Sequence, residues 1–183
     1  MASRYDDELW ELVPADPGPP PAHLVAFVRG LGHADRALDL GCGDGRLSAA
    51  LDTGNLTAAD VSAVALDRAR SRLPAARFVE LDPDAPLPLD DAGFDLVLCA
   101  ETIEHVRDVQ LLLSEIRRVL RPGGTLALTT PANLPLGPRP DPLSPHLRHF
   151  TRRSLSRALD DLGFEVESLR RRSGTLLAVA RRP

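Results

Sequence analysis

The segment Ala37-Leu-Asp-Leu-Gly-Cys-Gly-Asp-Gly45 constrains the fold more than any other part of the chain. An apolar strand runs into glycines at alternating positions, Gly41, Gly43 and Gly45, and a helical pattern, Arg46 to Leu51, follows at once. Glycine takes up backbone conformations closed to other residues and lets a ligand approach the main chain. A strand, a glycine loop and a helix in this order form the unit that holds cofactors in open α/β sheets. The ligand lies at the carboxyl end of the strand.

Strand and helix patterns alternate along the rest of the chain. A short helix candidate over 1–13 carries Tyr5, Leu9, Trp10 and Leu12, and Pro14-Ala-Asp-Pro-Gly-Pro-Pro-Pro21 breaks it into an extended linker. Helices are expected over 22–31, 45–52, 62–72, 107–120 and 151–162. Strands are expected over 36–40, 56–60, 77–81, 94–99, 125–130, 164–169 and 174–180. Phe94-Asp-Leu-Val-Leu-Cys99 is almost continuously apolar, as a central parallel strand buried on both faces must be. Residues 82–93 and 131–146 read as Pro-rich loops, and Arg121-Pro-Gly-Gly124 stops the fourth of these helices. The expected architecture is a doubly wound α/β sheet. Residues 1–21 form an N-terminal lid helix and linker, and 22–183 a single domain.

Apolar residues make up 43% of the chain, charged residues 26%, and the net charge is −4. This is a globular profile, and its acidity argues against a polyanionic partner. No apolar run reaches the roughly 20 residues that cross a bilayer. The first residues lack the pattern of a secretory leader, and Cys42 and Cys99 both sit in strand contexts, so a reducing cytoplasm is expected.

The glycine spacing is 2 then 2, whereas the dinucleotide fingerprint is 2 then 3. Acids end the first three strands: Asp39, Asp60 and Asp82. Asp60 lies about 20 residues beyond the loop, where a carboxylate accepts from ribose hydroxyls. Together these acids suit an adenosine ligand that carries positive charge, and suit a pyrophosphate poorly.

The chain resembles a class I S-adenosylmethionine-dependent methyltransferase of the ubiquinone-biosynthesis-like, type 11 branch. The resemblance rests on Leu38–Gly45, Asp60-Val-Ser, Asp82 with Pro86-Leu-Pro88, Phe94–Leu98, Glu104-His-Val106 and Leu120–Leu126. The tail His146-Leu-Arg-His-Phe-Thr151 with Leu162-Gly-Phe-Glu165 extends it. It implies a Rossmann-like seven-stranded sheet, mostly parallel with an antiparallel last strand, and a minimal cap. It further implies that Asp39, Gly41, Cys42, Gly43 and Gly45 surround the methionine part of the donor. Asp60 and Val61 would meet the ribose, Asp82 and Pro83 the adenine, and Ala100 and Glu101 the sulfonium.

The methyl acceptor is written less clearly. Cys99-Ala-Glu-Thr102 replaces the Asn/Asp-Pro-Pro-Tyr type of motif that accompanies exocyclic base methylation. If helical, Glu101, Glu104 and His105 share one face at i, i+3 and i+4, a divalent-metal half-site that His146 would complete. His105 as a general base without metal, aided by Glu104 and His146, is a second reading, and a purely structural role a third. Pro131-Ala-Asn133 places its Asn one residue away from the register seen in RNA-modifying relatives. Arg170-Arg-Arg172 reads as a solvated strand end. The expectation is methyl transfer to an O or N atom of a small metabolite by a monomer or homodimer, without nucleic acid or membrane. Metal-assisted 2′-O-methylation of RNA 3′ ends, and donor binding without catalysis, are the alternatives.

Overall fold

The computed structural model describes residues 2–132 and 146–183, with side chains from Asp6 onward. Residues 133–145, on which most of the loop expected over 131–146 falls, and the Tyr5 side chain lie outside that description. In chain order the elements are α1 (Ala2–Leu12), α2 (Ala22–Arg29), β1 (His33–Leu40), β2 (Asp52–Asp60), α3 (Ala63–Arg72) and β3 (Arg77–Glu80). There follow β4 (Phe94–Ala100), α4 (Val109–Val119), β5 (Leu120–Pro131), α5 (Arg152–Asp161), β6 (Glu165–Arg172) and β7 (Thr175–Arg181). The seven strands form one sheet in the order β3-β2-β1-β4-β5-β7-β6. The β1–β2, β1–β4, β2–β3 and β4–β5 pairs are parallel, and β7 runs antiparallel to both β5 and β6. The expected sheet, with its antiparallel last strand, is therefore the observed one.

Period-two alternation sorts the side chains of the central strands onto two faces. Leu38, Leu40, Val97, Cys99, Leu126 and Leu128 join Leu113, Ile116 and Val119 of α4 and Leu155 and Leu159 of α5 in the larger core. Ala37, Leu96, Leu98 and Ala127 face the other way, against Val28 of α2. The apolar stripe of α4 explains that helix, and its start is fixed by Asp108, whose side chain accepts from Leu111 N. Thr151 and Ser154 cap α5 reciprocally.

Loop 82–93 covers the larger core between β3 and β4 without helix, as its prolines require. Arg118 holds it by donating to Leu87 O at 2.9 Å and Leu89 O at 2.8 Å, while Glu115 accepts from Leu87 N at 2.8 Å. Arg170–Arg172 are exposed at the end of β6. Among the described residues, no helix is long and apolar enough to cross a membrane.

One local expectation fails and another is met with an addition. The helix expected over 45–52 is a single 3-10 turn, Ser48–Ala50, because β2 starts at Asp52 and extends well before residue 56. Six residues between loop and strand cannot repay the nucleation of an α-helix. Arg121–Gly124 does end the helix, but it is also an excursion within β5. Phe94 pairs with Leu120 and Leu96 with Thr125, so the four residues between are passed over in the ladder.

Candidate functional site

The sheet order reverses between β1 and β4, so the carboxyl ends of these two strands diverge into a crevice. Gly41 follows β1 there and Glu101 follows β4. Gly41, Gly43 and Gly45 have φ of +76°, +54° and +78°. At Gly41 an added Cβ would lie 2.3 Å from Thr102 Oγ1, and at Gly43 one would lie 2.7 Å from Trp10 Cζ2. The loop is thus closed in by β4's successor on one side and by α1 on the other. Left-handed backbone costs about 1–2 kcal/mol for a non-glycine residue, and overpacking adds about 1–3 kcal/mol. Gly41→Ala should therefore lower Tm by roughly 5–10 °C in differential scanning calorimetry.

The acids expected around the loop are buried. Asp60 is fixed by backbone: Oδ2 accepts from Gly43 N at 2.8 Å and Oδ1 from Ser62 N at 3.0 Å. Burial pushes its pKa upward. Asp39 Oδ2 accepts from Ser48 Oγ at 2.5 Å, so its partner comes from the 3-10 turn. Burial raises the Asp39 pKa to about 7, against the lowering effect of Ser48. Among the described residues neither carboxylate has a basic side chain within salt-bridge distance. Asp44, by contrast, pairs with Arg46 at 2.9 Å and Arg72 at 3.5 Å.

The raised Asp39 value has a sign that can be measured. The unfolded carboxyl ionises near pH 4 and the folded one near 7, so native stability declines across that window as pH rises. Asp39→Asn removes the titration and can still accept from Ser48. Its Tm gain over the natural protein should be largest at pH 7 and above and vanish toward pH 4, in thermal melts followed by circular dichroism.

Helix α1 lies across the loop. Its Asp7 Oδ1 accepts from Ser62 Oγ at 2.6 Å and from Val64 N at 3.3 Å, at the start of α3. Arg68 of α3 stacks over the Trp10 ring at 5.8 Å and donates to Val13 O at 3.0 Å. Cys42 is buried beside Leu66 and Ala58, and Val61 is half-buried. Asp82 and Pro83 are exposed after β3, with Asp82 Oδ1 accepting from Asp84 N at 2.9 Å. Ala100 is buried at the end of β4.

The segment after β4 does not meet the condition, an α-helix from Glu101, on which the shared face depended. Glu101 has φ +53°, and only Ile103–His105 forms a 3-10 turn. The shared helical face of Glu101, Glu104 and His105 therefore does not exist. Adjacent residues of β5 draw the two carboxylates apart, since Thr129 and Thr130 point to opposite faces. Thr129 Oγ1 donates to Glu101 Oε1 at 2.8 Å, on the α2 side of the sheet. Thr130 Oγ1 donates to Glu104 Oε2 at 3.0 Å, on the α4 side. Glu101 is thus no part of the candidate metal group. Glu104, His105 and His146 do come together, with ligand atoms within 4.8 Å of one another.

The His105 and His146 rings meet edge to face at 4.8 Å, and His149 follows at 6.1 Å from His146. Leu147 N donates to Glu104 O at 2.8 Å, which ties the histidine segment to the turn. Burial pushes the Glu104 pKa up to about 7 and the His146 pKa down. Thr102, Thr129 and Thr130 shape this region, yet sequence patterns offer no way to single them out: each acts through a contact distant along the chain.

A 3-2-1-4-5-7-6 sheet with a glycine loop at its point of reversal defines the class, a Rossmann-like methyltransferase fold. Residues 38–128 match the family model described as a methyltransferase domain, and the chain belongs to that family. A probable S-adenosylmethionine-dependent methyltransferase of Mycolicibacterium smegmatis is 44% identical over 85 residues, 45% of this chain and 33% of that relative. The trans-aconitate 2-methyltransferase of Paracidovorax citrulli is 35% identical over 117 residues, 62% of this chain and 45% of that relative. The chain thus spans less than half the length of either. The solved structure of a SAM-dependent methyltransferase from Aquifex aeolicus superposes with a TM-score of 0.71 at 18% identity, covering 90% of this chain and 94% of that one.

Proposed function

We propose that this chain transfers a methyl group from S-adenosylmethionine to an oxygen or nitrogen atom of a small-molecule metabolite. The observation that carries the reading is the pair of buried acids around the glycine loop, Asp39 and Asp60, without a basic partner among the described residues. A donor with a sulfonium and an ammonium group brings the missing positive charge, whereas a pyrophosphate would add negative charge to the same place.

In this reading Asp39, Gly41, Cys42, Gly43 and Gly45 line the methionine part. Asp60 and Val61 hold the ribose, Asp82 and Pro83 flank the adenine, and Ala100 and Glu101 lie near the sulfonium. Residues 1–21 act as a lid on a catalytic domain formed by 22–183. Transfer is an in-line displacement at carbon, so alignment supplies most of the rate. The group Glu104, His105 and His146 relieves the acceptor of its proton. Its Glu104 is two residues from Thr102, which packs on Gly41.

A small acceptor is favoured by the net charge of −4, which repels a polyanion, and by the similarity to a relative named for trans-aconitate. The reading is of a cytoplasmic enzyme, monomeric or homodimeric.

Calorimetry should find one S-adenosylmethionine site with a Kd in the micromolar range or tighter. Methyl-labelled donor incubated with a fractionated metabolite extract should label a small-molecule fraction. Label on the 3′ ends of short RNA would overturn the choice of acceptor, and donor binding without any transfer would overturn the catalytic reading.

A further inference from the structure

We propose that Arg36, Asn55, Thr57 and Arg77 bind one inorganic phosphate ion, toward the end of the sheet opposite the glycine loop. The site goes beyond the methyltransferase reading and does not depend on it.

One face of the sheet carries Leu38, Ala59 and Val79 into the larger core, and toward the amino ends of the strands that face turns polar. Period two puts Arg36 of β1 on the side of Leu38, Asn55 and Thr57 of β2 on that of Ala59, and Arg77 of β3 on that of Val79. The ladder sets them side by side, Arg36 opposite Asn55 and Thr57 opposite Arg77. The end of loop 82–93 covers them, with Leu89 and Phe94 as an apolar wall, and a cavity of about 170 Å³ remains between. Pockets for drug-sized ligands run to roughly 300–1,000 Å³, so the occupant here is smaller. The wall is built: Arg118 donates to Leu89 O at 2.8 Å and accepts from Ala92 N at 2.9 Å.

Two observations give that occupant its chemistry. Thr57 is 8% exposed and lines the cavity, yet among the described residues its hydroxyl has no hydrogen-bond partner. Buried hydroxyls are as a rule satisfied. The guanidinium groups of Arg36 and Arg77 line the same cavity, and among the described residues neither has a hydrogen bond or an ion pair. Nearby acids are engaged elsewhere. Asp95 pairs with Arg121 and accepts from Arg36 N at 2.8 Å, and Asp91 pairs with Arg118 at 2.5 Å. Two like charges over one cavity call for an anion between them.

Each guanidinium offers parallel donors that match a tetrahedral oxyanion. Thr57 adds a hydroxyl. Asn55 gives one N–H to Asp35 O at 3.3 Å and has a second to give. A carboxylate ligand has too few oxygens for this set, whereas phosphate has four. Asp90 also lines the cavity. Its carboxylate repels an anion without a hydrogen and accepts from one that has an O–H. Inorganic phosphate keeps an O–H at neutral pH. Sulfate has none, and a phosphate monoester, with a second pKa near 6, has mostly lost its own.

The test is calorimetric titration of the protein with inorganic phosphate, in a buffer free of it. The expected result is one phosphate per chain with a submillimolar Kd, and at least threefold weaker binding of sulfate and of glycerol 3-phosphate. Arg36→Gln and Arg77→Gln each remove a charge from an exposed position and should each weaken phosphate at least tenfold. Thr57→Val keeps the shape and should weaken it as well. Melting temperatures close to that of the natural protein certify the fold of all three. Saturating phosphate should leave the S-adenosylmethionine Kd within threefold, since Gly41 lies five residues beyond Arg36, roughly 16 Å of strand. No phosphate binding at millimolar concentrations, or unchanged affinity in both arginine variants, overturns the proposal. Sulfate or the ester binding as tightly as phosphate overturns the choice of ion. Displacement of phosphate by S-adenosylmethionine would put the ion in the crevice and overturn the site. Phosphate binding by a chain that fails to bind S-adenosylmethionine would leave this site standing and remove the donor reading.

Discussion

Asp60→Ala is expected to weaken S-adenosylmethionine at least 100-fold. Each hydrogen bond to a charged group contributes roughly 1.5–3 kcal/mol, and two ribose hydroxyls are in question. The carboxylate is well prepared for them. Gly43 N and Ser62 N occupy one position on each oxygen and fix its orientation, so the free lone pairs are already aimed. The same contacts make Asp60 part of the loop's own architecture, which calls for a graded control. Asp60→Asn keeps one accepting oxygen and should lose affinity to an intermediate degree. Isothermal calorimetry on all three proteins gives the comparison, with melting temperatures alongside. An alanine variant within threefold of the natural Kd would remove Asp60 from the ribose.

His105→Ala should leave donor affinity within threefold and lower kcat at least 100-fold, in line with the 10²–10⁴ that proton removal at the acceptor contributes. The separation of the two readouts matters more than the size of either. His105 lies past Thr102 on the turn and outside the glycine loop. Its loss therefore acts on the acceptor's side of the reaction. Single-turnover transfer from labelled donor, with donor saturating, measures it. Unimpaired turnover would refute both ways in which His105 is held to ionise the acceptor.

Much of the fold could be read from the chain because its signals are local. The apolar run Phe94–Cys99, the glycines after Leu40 and the stripe on α4 each declare an element within a dozen residues. The helix expected over 45–52 went wrong because composition was helical while the distance to β2 was too short, a limit set by the early start of that strand at Asp52. The assignment of Glu101 to one face with Glu104 and His105 failed for a different reason. Helical spacing supposes a helix, and here the backbone at Glu101 turns left-handed while β5 offers a threonine on each face of the sheet. Likewise, the Trp10 contact with Gly43 joins positions separated by a proline-rich linker.

That last contact has a practical side. Trp10 is the only tryptophan of the chain, and its indole rests on the central glycine of the loop, beneath the guanidinium of Arg68. The protein therefore carries its own fluorophore at the mouth of the crevice. Light emitted by one residue reports the state of the loop against a background of a single tyrosine, with no label attached.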